Sequence, residues 1–82
     1  MSDGPAGEEF GTQPVDGLMT RLGISNHDLV KASPGQLTHK TVRKGRRGRR
    51  LTLNSQQKIL TALLAARPEE RFSLGDLFNY SP

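Results

Sequence analysis

Cysteine and tryptophan are both missing from this chain of 82 residues, and its aromatics stop at 3 Phe and 1 Tyr. Without cysteine there is no disulfide framework and no thiolate metal site, a pattern that fits a reducing compartment. The 2 histidines, His27 and His39, are too few and too far apart along the chain to build a metal site. No metal and no cofactor are therefore expected. So few aromatics also leave few platforms on which unpaired bases stack. Long apolar runs are lacking as well: apolar residues make up 33% of the chain, and none of the runs approaches the length of a membrane span. The N-terminus lacks the basic-then-apolar order of a signal peptide, so the expectation is a soluble, cytoplasmic protein with no membrane partner.

Catalytic machinery is missing too. No carboxylate pair stands at useful spacing, no nucleophile has a base beside it, and no phosphate-cradling glycine loop leads into Lys-Ser or Lys-Thr. An enzyme is not expected.

Acidic residues are scarce where bases are dense. Residues 1–16 carry Asp3, Glu8, Glu9 and Asp16 with no base, whereas residues 17–50 carry 9 Lys and Arg against Asp28 alone. Residues 51–82 are balanced, so the formal net charge of +4 understates a local excess. Such an excess marks a binding face rather than general solubilisation. It peaks in L-T-H-K-T-V-R-K-G-R-R-G-R-R, residues 37–50, whose last 11 residues include 7 Lys or Arg.

The segments around this run read as short helices. Residues 1–13 are Gly-rich and acidic, too poor in apolar surface to offset ordering entropy, and are expected to form a disordered tail. A tail of this sign can fold back on the basic face. Residues 14–82 form the expected domain. Pro14 suits a first helical turn, Val15, Leu18, Met19 and Leu22 follow at helical spacing, and Gly23 supplies a stop. Ser25 with Asp28 makes a capping box, flanked by Ile24 and Leu29 as a hydrophobic staple. That second helix ends near Ala32 or Ser33, ahead of the Pro34-Gly35 turn.

The third helix starts at Thr38, with Leu37 and Val42 in the staple positions. Gly45 and Gly48 can each end it; a stop at Gly45 leaves a helix over about Thr38–Lys44 and a loop from Arg46 to Arg50. A long helix follows, capped by Thr52 or Asn54 and striped by Ile59, Leu60, Leu63 and Leu64, with Pro68 closing it near Arg67. Phe72 to Leu77 repeats staple and capping box and opens a short helix over about 73–80. Nothing alternates with the period of a strand, so the fold class is all-α, with four or five short helices.

Two short helices joined by a tight turn, the second polar and basic, form the helix-turn-helix pattern. The segment D-L-V-K-A-S-P-G-Q-L-T-H-K-T-V-R-K resembles the D-x-A-x-x-A-G-V-S-x-x-T-V-S-R run of lac-repressor-type headpieces. Downstream, R-R-L-T-L-N-S-Q-Q-K-I-L-T-A-L is similar to the helix that follows there and to the K-I-A-x-A-L helix of phage-repressor-like (lambda-repressor-like) domains. S-N-H-D-L-V likewise resembles S-Q-x-E-L-A of the latter group. The resemblance covers about residues 17–66. Relative to the pattern, Pro34-Gly35 reads as a two-residue insertion in the turn, and Gly45 interrupts the recognition helix early.

The resemblance implies a sequence-specific DNA-binding protein, a transcriptional regulator whose partner is double-stranded DNA. By position, His39, Lys40, Thr41, Arg43 and Lys44 are the candidate base contacts, with Lys40, Arg43 or Lys44 donating to guanine O6 and N7. Gln36, Arg46, Arg47, Arg49 and Arg50 are the candidate phosphate contacts, the arginines from a loop that can also enter a narrow minor groove. Phe72, Leu77 and Phe78 either pack on the long helix or form a homodimer contact that sets two recognition helices one helical turn apart. Two other functions stay open: an RNA- or ribosome-binding protein using the arginine-rich loop, and a protein-interaction module on a helix-turn-helix scaffold.

Overall fold

Every helix but the first begins where a side chain replaces the missing backbone acceptors, and a computed structural model describing residues 10–80 shows these starts in atomic detail. The helices are α1 (Pro14–Leu22), α2 (Asn26–Ala32), α3 (His39–Arg47), α4 (Leu53–Ala66) and α5 (Leu74–Leu77), with no strand among the described residues. The fold is all-α.

At α2 the Ser25 hydroxyl accepts the Asp28 N–H at 3.0 Å while the Asp28 carboxylate accepts the Ser25 N–H at 3.1 Å. Two orphan donors are satisfied reciprocally. Those hydrogen bonds stabilise the ionised form, so the Asp28 carboxyl is held below its ordinary value of 3.8. Thr38 caps α3 by accepting the Thr41 N–H, and Thr52 caps α4 by accepting the Ser55 N–H. At α5 the Asp76 carboxylate accepts both the backbone N–H and the hydroxyl of Ser73. The staple residues Ile24, Leu29, Leu37 and Val42 all enter the core, which is why the chain arrives at α2 and α3 from a fixed direction.

The core gathers Val15 and Met19 of α1, Leu29 of α2, Val42 of α3, Ile59, Ala62 and Leu63 of α4, and Leu77 and Phe78 at the end. Along α4 the buried line is Gln56, Ile59, Ala62 and Leu63, whereas Leu60 and Leu64 lie at its half-buried margins. The stripe is therefore rotated slightly from the one predicted. α2 packs against α3 and α4, and α5 bridges α1 and α4. Among the described residues no helix is long and apolar enough to cross a membrane.

Two expectations are corrected and a third is narrowed. First, the disordered tail does not extend to residue 13. Residues 1–9 lie outside the described residues, but residues 10–13 lie against the domain. Gln13 is buried; its Nε2 donates to the Gly11 carbonyl at 3.0 Å, and its Oε1 accepts the Asn79 N–H at 2.7 Å. Phe10 stacks on Tyr80, with ring centroids 4.3 Å apart and planes 10° from parallel.

Second, α5 is a single turn and does not run through residue 80. Phe78 leaves it in extended conformation (φ −131°, ψ 136°) and is buried, and the Gln13 side chain accepts the Asn79 N–H that a longer helix would have used.

Third, Leu77 is fully buried and Phe78 is 4% exposed, so of the two roles open to them both take packing into this chain's own core. Phe72 is half-buried against the same core.

Candidate nucleic-acid interface

α3 is assembled from residues that have only one way to face the core. Val42 and Gly45 are its two buried positions. Gly45 does not end the helix. A Cβ there would stand 2.9 Å from the Ile59 side chain and 3.1 Å from that of Leu51, so glycine lets α3 lie close against α4 and the segment before it. The stop comes at Gly48, in the left-handed region (φ 94°), where its N–H donates back to the Lys44 and Gly45 carbonyls. A recognition helix over about Thr38–Lys44 is thus too short by one turn. Arg46 and Arg47 belong to the helix, not to a loop.

The extra turn decides which bases stand together. Residues 40, 43, 44 and 47 fall at the i, i+3, i+4 and i+7 positions of one helical face. Their side chains, joined by Arg49 from just beyond Gly48, line a cleft of about 220 Å³. No acidic side chain lines it. Five basic side chains thus meet at one concavity and make this face of the described residues locally basic. Lys44 and Arg47, in the last turn, are also favourably placed against the helix dipole.

Arg46 points the other way. Its Nε donates to the Asp16 carboxylate at 2.6 Å, its guanidinium donates to Asn26 Oδ1 at 2.7 Å, and the side chain is only 20% exposed. It joins α3 to α1 and to the start of α2, which removes it from the expected phosphate set. Its sequence gave no signal of this, because Asp16 lies 30 residues away.

The other candidates are spread around this cleft without lining it. His39 is exposed, and its ring stacks on that of His27 across the starts of α2 and α3, with centroids 5.7 Å apart. Thr41 is half-buried and its hydroxyl accepts from the Thr38 hydroxyl, so it serves the helix cap. Gln36 is exposed in the turn before α3, and Arg50 is exposed beyond Arg49. Among the described residues no group of three or more His, Cys, Asp and Glu stands together as a metal site.

Sequence reasoning missed Tyr80, which it treated only as part of an aromatic tail. The Tyr80 hydroxyl accepts the Leu51 N–H at 2.9 Å and donates to the Arg49 carbonyl at 3.2 Å. Phe10 was also unassigned; its N–H donates to the Gly48 carbonyl at 2.8 Å, beside the rim of the cleft. No local signal in the sequence could have joined residues so far apart. No protein-family model matches the sequence, and neither a curated protein nor a solved structure does.

Proposed function

We propose that this chain is a sequence-specific DNA-binding protein of the helix-turn-helix kind, a transcriptional regulator that presents α3 to the duplex. The observation that carries the reading is the set of five basic side chains on one side of α3, lining a single cleft free of acidic groups. Lys40 and Arg43, nearer the helix start, donate to guanine edges, and Lys44, Arg47 and Arg49 grip phosphates. His39 and Thr41 lie at the same leading end, and Gln36 and Arg50 extend the phosphate track on either side. The described aromatics favour a duplex over single strands. Phe78 is buried, Phe72 is half-buried against the core, and Phe10 and Tyr80 are stacked on one another, so few ring faces are left for unpaired bases.

The test is selection of bound duplexes from a random pool, followed by titration of the selected duplex and of single-stranded RNA at two salt concentrations. The selected duplex is expected to bind with a log–log salt slope of about −3 to −4, as neutralising about four phosphates by Lys44, Arg47, Arg49 and Arg50 requires. Lys40→Ala/Arg43→Ala is expected to flatten discrimination between bases by about 1–3 kcal/mol per lost bidentate contact. Arg47→Ala is expected to weaken all duplexes alike. Equal affinity for every duplex sinks the sequence-specific reading, and tighter binding of RNA at both salts replaces DNA as the partner.

A further inference from the structure

The cleft has one wall that α3 does not supply. Lys40, Arg43, Lys44 and Arg47 are fixed by the helix itself, but Arg49 stands past the left-handed Gly48, where the chain has already left the helical path. Its peptide is nevertheless held on both sides. The Arg49 N–H donates to the Lys44 carbonyl at 2.9 Å, and the Arg49 carbonyl accepts from the Tyr80 hydroxyl. The same hydroxyl receives the Leu51 N–H, so one oxygen spans the bend by which the chain passes from α3 towards α4. Tyr80 is in turn fixed by its stack on Phe10, and Phe10 is tied to the Gly48 carbonyl.

From this arrangement we infer that Tyr80 is a positioning residue for polyanion binding: through its hydroxyl it holds Arg49, the fifth basic residue of the cleft, in place as a phosphate contact. Phe10 acts one step further out, by holding Tyr80. Neither touches the phosphodiester. The device converts an arginine outside the helix into a preorganised contact, so that less ordering is needed when the backbone docks. Without the hydroxyl, Arg49 keeps its charge but loses its fixed origin, and its phosphate contact is made by only a fraction of the molecules. The inference rests on the proposed duplex binding and assigns to it a residue some 30 positions from the cleft in sequence.

The experiment is a double-mutant cycle on the full chain, with a labelled duplex of fixed sequence as probe and affinity measured across a salt series. Arg49→Ala is expected to weaken binding about 8-fold at ~0.1 M salt and to reduce the salt slope by about 1, the loss of one neutralised phosphate. Tyr80→Phe keeps the ring and its stack, and is expected to weaken binding about 3-fold with a smaller reduction of slope, since Arg49 is loosened rather than removed. In the Arg49→Ala background, Tyr80→Phe is expected to change affinity by less than about 1.5-fold, because the two act as one unit.

A merely structural role of Tyr80 would reduce affinity equally in both backgrounds and leave the salt slope alone. Either of those results overturns the inference, as does an Arg49→Ala variant that binds like the parent. Should Tyr80→Phe fail to fold, Phe10→Leu serves in its place, with the same requirement that its effect disappear in the Arg49→Ala background. If the unaltered chain binds no duplex, the proposed function and this inference fall together; if it binds and the coupling is absent, only this inference falls.

Discussion

Asp28 illustrates how a single exposed carboxylate governs a helix start. Its pKa is depressed first by accepting the Ser25 N–H and next by the Ser25 side chain, with smaller contributions from His27 and Lys31. A depressed carboxyl contributes stability above its unfolded value and loses it as the pH falls through the lower folded value. The α2 cap is therefore expected to be intact at pH 5 and to be lost only below the ordinary 3.8 of the free group. An NMR titration of the Asp28 carboxyl checks this, and a midpoint above that value contradicts it. Gly48 is the second residue on which the local structure turns. With φ at 94° and a hypothetical Cβ only 1.8 Å from the Gly11 carbonyl oxygen, no side chain fits. Gly48→Ala is expected to lower stability by more than about 2 kcal/mol, from the left-handed backbone and the displaced Phe10–Gln13 segment together. Thermal unfolding that moves by less than about 5 °C would rule this out.

At the scale of the element, α4 carries an anomaly. Gln56 is 1% exposed, in line with Ile59 and Leu63, yet its Nε2 has no hydrogen-bond partner among the described residues. A buried, unsatisfied amide is unfavourable by about 1–3 kcal/mol, and an apolar side chain of similar shape removes the penalty. Gln56→Met is thus expected to raise the urea midpoint with the m-value unchanged; a drop in the midpoint would show that the amide has a partner after all. The helix starts were legible in the sequence because capping is local. Ser25 with Asp28, Thr38 with Thr41, Thr52 with Ser55 and Ser73 with Asp76 each act within three residues. The ends of α1, α2 and α4 were legible too, marked by Gly23, Pro34 and Pro68, but those of α3 and α5 were not. Whether Gly45 stops α3 depends on Ile59, Leu51 and Phe78, which press against it from elsewhere in the chain. The same limit blurred the candidate site. The basic residues were evident, but a division at Gly45 separated Arg47 from the face it shares with Lys40, and Arg46 from its partner Asp16.

The whole molecule separates charge into two kinds. Arg46, paired with Asp16 and Asn26, ties α3 to α1 and α2, while Arg47, its neighbour in sequence, lines the cleft. Arg46→Ala is expected to reduce stability by about 1 kcal/mol, the pair being partly exposed and so discounted for solvent screening. That corresponds to a fall in Tm of about 4–8 °C for a domain of this size. Duplex affinity per folded molecule and its salt slope are expected to stay unchanged, the reverse of Arg47→Ala. A salt slope that falls as much for Arg46→Ala as for Arg47→Ala would return Arg46 to the phosphate contacts.

The contacts between Phe10–Gln13 and Asn79–Tyr80 also bear on the rate at which the molecule folds. Gln13 and Asn79 are separated by 66 residues, nearly the full described chain. Helical domains usually fold quickly because their contacts are local, and contacts this distant carry a large loop-closure entropy that is offset only late on the folding path. Side chains that seal the two ends are then absent from the transition state. Phe10→Leu is expected to accelerate unfolding while leaving the refolding rate nearly unchanged, a φ-value near zero, whereas a truncation within α2 or α4 should slow refolding. Stopped-flow chevrons of the two variants distinguish the cases. The strap over the C-terminal end of α3 is in this sense a latch: it sets how long the native state persists, not how readily it is reached.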